Sequence, residues 1–285
     1  MAYPPKGKIA VLNEYNTKHL KKSAQFTKIA FALALILGFM GTFFVQLYRD
    51  NDFVKAVWQG NDVITFAIVA PLMLYAMMKA RTSPFTNKRL FFVWMGCLWY
   101  MIYNYVFYVY AAAFNVFFLG YVAIIITSVL ALFHGLVSIR NNLEDIISNQ
   151  SMIASYKSTR WFLFGFALLL GGAWIAMASS FIFTGVVPVA ITQTDHPTGV
   201  VFATDLLLLV APLFVLSYYL KKPARWALLL TPIILVKCCL YPLVFVVAGI
   251  FAYNKTGAYD VLTPVYLLLG FGSYVTLMRL IKKIR

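Results

Sequence analysis

Eight apolar stretches, at about 26–48, 62–80, 90–113, 117–140, 160–184, 199–220, 226–252 and 260–281, constrain any fold this chain can adopt. As α-helices rising about 1.5 Å per residue, each is long enough to cross a hydrocarbon layer roughly 30 Å thick. Little remains from which to build a solvated surface. Hydrophobic residues make up 62% of the chain and charged ones 12%, with a mean hydropathy of +0.81, a composition that excludes a soluble globular domain. The expected fold is all-α, a polytopic helical membrane bundle of about eight transmembrane helices whose first partner is the lipid bilayer.

Charge then orients the spans. Lys and Arg number 24 against 9 Asp and Glu, and in a soluble protein that excess would point to nucleic acid. Here it marks topology, because cationic residues concentrate on the cytoplasmic side of membrane proteins. Residues 1–28, 79–89, 140–160, 221–225 and 279–285 together hold 20 of the 24. An even number of spans with this pattern places both termini in the cytoplasm, in a cell (inner) membrane, with no nucleic-acid partner. The basic start of the chain precedes an apolar run too long for a signal-peptide core, so that run reads as the first span. Cys97, Cys238 and Cys239 all lie inside apolar runs and read as packing residues.

The chain divides into a basic tail (1–25), a first four-helix half (26–140), a cytoplasmic connector (141–159) and a second four-helix half (160–285). Amphipathic residues in the connector suggest a short interfacial helix. Short matches recur in order between the halves. LILG at 35–38, VAPL at 69–72, Arg89, Tyr105, Tyr121 and Ser128 correspond to LLLG at 168–171, VAPL at 210–213, Arg225, Tyr241, Tyr266 and Ser273. An internal duplication with four spans per half gives parallel repeats, related by an axis along the membrane normal.

Charged groups within the bilayer carry the functional question, since each costs about 2.5–3.5 kcal/mol on insertion scales unless paired, hydrated or used. Asp205 lies in span six and Lys237 in span seven, and the turn KKPAR joins those spans. Their depths nearly meet, so the simplest expectation is an Asp205–Lys237 ion pair, either pinning two helices or lining a wet cavity reached from outside. Asp62, Asn104, Asn115 and Asp195 fall in the same outer half, as do His196 and Thr198. Asp62 has a second reading as a helix N-cap. Tyr100, Asn104 and Tyr108, spaced by four, share a helix face; Tyr100 and Asn104 suit a pocket wall, while Tyr108 and Tyr110 suit an interfacial belt. Pro71, Pro212, Pro232 and Pro242 interrupt spans two, six and seven and are expected to widen a cavity.

Familiar catalytic signatures are silent. His134 is the only histidine inside an expected span, which leaves no haem-binding pair and no zinc cluster. No nucleophile elbow, phosphate loop or repeated aspartate motif occurs. Neither a cofactor nor a metal is expected. Gln59-Gly60-Asn61-Asp62, Tyr105 through Asn115, Asp195 to Asp205 and Leu235-Val236-Lys237 together resemble an uncharacterised family of bacterial polytopic inner-membrane proteins. The resemblance implies that these polar positions belong to one shared site, and it brings no activity with it.

Three functions fit this reading. The first is a protein that binds or transports a small polar or ionic ligand at Asp62, Tyr100, Asn104, Asn115, Asp195, Asp205 and Lys237. The second is an intramembrane enzyme acting on a lipid or lipid-linked substrate, with an aspartate as acid or base. The third is a sensor or assembly subunit with a structural ion pair and a partner subunit or second copy. A retinal Schiff base on Lys237 is a more remote fourth. The convergence of the polar groups on one aqueous face favours the first.

Overall fold

The computed structural model describes residues 14–82, 87–140, 153–222, 224–257 and 263–282, and every apolar stretch forms a helix. The eight are α1 (Glu14–Phe43), α2 (Asp52–Ala80), α3 (Lys88–Ala111), α4 (Phe118–Ser138), α5 (Ile153–Thr184), α6 (Val200–Tyr219), α7 (Arg225–Thr256) and α8 (Thr263–Ile281). No strand occurs among the described residues. The chain is a multi-pass helical membrane protein. Large apolar side chains such as Ile36, Phe43, Leu119, Ile182 and Phe271 face outward, as a bilayer requires.

Two helices begin well before the expected boundaries. α2 opens ten residues early at Asp52, where the Asn51 Oδ1 accepts from the Val54 amide at 2.9 Å and caps the first turn. Asp62 is therefore deep within a helix and is not an N-cap. α1 opens at Glu14 and carries His19 within it. That histidine meets His134 of α4, Nδ1 to Nδ1 at 2.8 Å, so His134 does have a histidine partner. Such a contact leaves room for one shared proton and none for a haem between the rings. Of the expected connector helix, residues 153–159 belong to α5 and residues 141–152 lie outside the described part.

Proline acts differently from expectation in α2 and α6. Neither helix breaks. Each passes through one π-helical segment, Thr65–Val69 in α2 and Leu206–Val210 in α6, immediately before an Ala-Pro pair. The wide turn suits a proline, which has no N–H to return to the preceding turn and whose ring crowds the carbonyl behind it. The amide of Ala70 bonds to the Thr65 carbonyl, and that of Ala211 to the Leu206 carbonyl, five residues back in both. The extra residue also resets the buried face. Beyond the segment in α2 it is Met73, Met77 and Ala80 that turn inward, while Tyr75 is 48% exposed. The second segment starts 141 residues after the first, at 206 against 65.

At the centre of the bundle α7 crosses both α2 and α3. These crossings depend on glycine. A Cβ on Gly96 would stand 2.4 Å from Val236 Cβ and 2.9 Å from the Ile233 carbonyl, and one on Gly60 would stand 2.6 Å from the Ala248 amide nitrogen. Without a hydrophobic drive between helices in lipid, such close backbone approach supplies the packing that holds them. By contrast α6 and α7, although joined by a short turn, touch only sparsely. Replacing Gly96 with Val is expected to destabilise the protein by about 1–3 kcal/mol through overpacking. Gly165, with open space around its Cα, should accept alanine without loss. Thermal unfolding of the two variants in detergent measures the difference.

Candidate functional site

Asp205 ends the regular first turns of α6, directly before the π-helical segment, and is wholly buried. Three donors from three other helices converge on its carboxylate. Tyr103 of α3 donates its hydroxyl to Oδ1, Tyr241 of α7 donates to Oδ2 at 2.8 Å, and the Trp174 indole of α5 donates to Oδ2 at 2.9 Å. Lys237, one turn before Tyr241, is equally buried. Its Nζ lies 3.4 Å from the Tyr103 ring centre and 3.7 Å from that of Tyr241, with no hydrogen-bond acceptor.

The expected direct ion pair is therefore replaced by a relay. Two tyrosines stand between the charges, giving their hydroxyls to the carboxylate and their π faces to the ammonium. The reason is topological. α7 turns toward α2, α3 and α8 rather than α6, and Tyr103 fills the space between them. A desolvated cation over a tyrosine face gains about 2 kcal/mol or more per ring, enough to offset part of the cost of burying an ammonium.

Asp62 forms a second buried carboxylate site, separate from the first. Tyr48 donates to its Oδ2 at 2.6 Å and Tyr108 to its Oδ1 at 2.9 Å. Burial, followed by the nearby Asp62, holds the Tyr48 hydroxyl protonated well above its ordinary range. Gly41 of α1 makes the space, since a Cβ there would fall 1.9 Å from Asp62 Oδ2. Asp62 lies in this aromatic packing and is not part of the lining of the cavity to which its neighbours Trp58 and Asn61 contribute.

The stripe of spacing four in α3 is real, with a different task. Tyr100 bonds Thr65 at 3.2 Å, Asn104 bonds Asn61 at 3.2 Å, and Tyr108 bonds the Trp58 carbonyl at 3.1 Å. Contacts that ascend α3 while descending α2 form a polar zipper between antiparallel helices. Tyr100 and Tyr108 are thus buried in packing, and of the three only Asn104 also reaches a cavity.

That cavity, of about 550 Å³, is lined by α2, α3, α5, α6, α7 and α8 at the end of the bundle opposite the start of α1 and the end of α8. Phe53, Trp58, Phe107, Trp174, Phe245 and Tyr266 give it an aromatic wall; Asn61 and Asn104 add an amide edge; Tyr103 and Tyr241 complete it, with Lys237 and Asp205 behind them. Gln193, Thr194 and His196 of the connection between α5 and α6 border it as well. That connection is stitched down: Asn51 donates to the Gln193 carbonyl at 3.1 Å and to Asp195 at 2.8 Å, and His196 Nε2 bonds the Ala111 carbonyl at 2.8 Å. Asp195 is a tether, adopting a left-handed φ of 54°. Asn115 has a local role, its Oδ1 accepting from the Phe117 amide and its Nδ2 donating to the Ala113 carbonyl to shape the turn before α4.

Of the seven expected site residues, the structure brings Asn104, Asp205 and Lys237 to one region, the latter two behind its tyrosine wall. Asp62, Tyr100, Asn115 and Asp195 serve packing, turn and tether. Sequence reasoning missed Tyr103, Tyr241 and Trp174 as partners of Asp205. Tyr103 and Phe107 are themselves spaced by four, on the helix face next to the one chosen. Comparison with protein-family models, curated proteins and solved structures finds no match.

Tyr241→Phe keeps the ring over Lys237 and removes one of three donors to Asp205, with an expected loss of about 1–2 kcal/mol. Tyr241→Leu also removes the ring and should lose about 2 kcal/mol more. Denaturant unfolding followed by far-UV circular dichroism separates the two contributions.

Proposed function

We propose that this protein binds a ligand within the membrane, in the cavity between its halves, and that the ligand is mostly apolar with one polar end. The observation that carries this is the wall itself: a space of about 550 Å³ faced by Trp58, Phe107, Trp174, Phe245 and Tyr266, with polar groups confined to the Asn61–Asn104 edge, the tyrosine pair and the 193–196 connection. Ligand sites of this size combine an apolar lining with a few placed polar groups. A hydrated inorganic ion would find few ligands there, so the small polar or ionic ligand expected from the charged residues gives way to an amphipathic one.

Transport across the bilayer is the second reading, favoured by the recurrence of one π-helical segment and Ala-Pro pair in each half. Proline and π turns are where helices bend, and parallel repeats hinged at matching points have the layout of rocking transporters. The unequal distribution of Lys and Arg, with 20 of 24 in the sequence segments 1–28, 79–89, 140–160, 221–225 and 279–285, supports a cytoplasmic assignment for the end where α1 starts and α8 finishes and an outward-facing cavity.

Two measurements test this reading. Native mass spectrometry and tryptophan fluorescence of the purified protein with oleyl chains should show saturable binding that Val57→Trp, a substitution at a residue of the cavity lining, abolishes without lowering the unfolding temperature. Unchanged binding in that variant would place the ligand elsewhere. In intact cells, a membrane-impermeant maleimide should label Thr192→Cys and leave Lys79→Cys unmodified until the membrane is opened.

A further inference from the structure

Two hydrogen-bond donors beside the cavity lack acceptors. One is the Lys237 ammonium, with three N–H groups, behind Tyr103 and Tyr241; the other is the indole Nε1 of Trp58, in the aromatic wall. Both groups only donate. Asp205 is the reverse case, its negative charge covered by Tyr103, Tyr241 and Trp174. The region therefore holds a satisfied anion and an unsatisfied cation. Buried donors normally find partners, and charged ones most of all.

We infer that the ligand supplies the absent acceptor: it is an anionic amphiphile whose carboxylate or phosphate head reaches Lys237 between Tyr103 and Tyr241, with its chain along the wall of Trp58 and Phe107. This rests on the ligand-binding reading above and adds the sign of the head group. The two tyrosines act as the gate. As they turn, each keeps or exchanges its bond to Asp205 while its ring face leaves the ammonium and the anion takes its place. No covalent bond forms or breaks, and the pairing is a charge-assisted contact in a dry site, the strong class of hydrogen bond. A cationic head would meet Lys237 as a like charge, and Asp205 would not compensate it, since its oxygens are already engaged.

The test compares four probes of one chain length on protein in nanodiscs made of a zwitterionic lipid: oleate, oleoyl lysophosphatidate, oleyl alcohol and oleylamine. Wild-type protein is expected to bind oleate, lysophosphatidate or both at least about tenfold more tightly than the alcohol, and the amine least. A preference for only one of the two anions identifies the head group as carboxylate or phosphate. Lys237→Met should bring the anions to the affinity of the alcohol while leaving the alcohol itself unchanged. A wild-type protein that binds all four alike, or favours the amine, overturns the inference whatever the variants do, and leaves the cavity reading intact. A preference that survives Lys237→Met also overturns it. Failure of all four probes to bind overturns the cavity reading together with it.

Discussion

Tyr103 and Tyr241 are the contact on which the centre of this protein depends. Each ring presents a π face to Lys237 and a hydroxyl to Asp205, so two opposite charges are stabilised in lipid-depth packing without touching. A bare ion pair would link two helices. This arrangement links α3, α6 and α7 directly and recruits α5 through Trp174. It also spans both halves of the chain. The same tyrosines belong to the cavity wall, so loss of either would alter charge burial and cavity shape together.

Around that centre, small residues and paired polar groups do the packing. Gly96 and Gly60 let α7 come within backbone contact of α3 and α2, and the Tyr100, Asn104 and Tyr108 rungs tie α3 to α2. The Asp62 cluster fastens α1, through the space left by Gly41, to the same pair. The pairings of α1 with α4 and of α3 with α4 recur as α5 with α8 and α7 with α8. Ser128 and Ser273, matched in the sequence, are both buried with unpartnered hydroxyls. The exception is α6, which meets α7 far less than α2 meets α3, and that asymmetry opens the space where Tyr103 inserts.

Hydropathy made the number of helices legible, because a bilayer leaves few alternatives for a 20-residue apolar run. It misplaced the starts of α1 and α2, where Glu14–Gln25 and Asp52–Asn61 are helical but only partly apolar. Which charged residues are buried was legible too, from the cost of leaving Asp205 and Lys237 in lipid. Their mutual geometry was not. The short turn between spans six and seven argued for direct pairing, yet chain proximity does not fix which faces meet, and Tyr103 comes from a span far away in sequence. Asp195 and Asn115 were legible as polar residues between apolar runs, but turn and tether roles depend on loop conformation that apolar patterning does not report.

The π-helical segments impose a length rule on two parts of the chain. One turn made with an additional residue rotates everything after it by about a quarter of a revolution relative to an unbroken helix. In α2 that rotation is what directs Met73 and Met77 inward and Tyr75 toward lipid; in α6 it directs Leu213 and Leu216 inward and Val215 and Tyr218 toward lipid. Between Asp62 and Pro71, and between Asp205 and Pro212, the chain cannot gain or lose one residue without turning the rest of the span by about a quarter of a revolution, which swings its buried face away from the neighbouring helices.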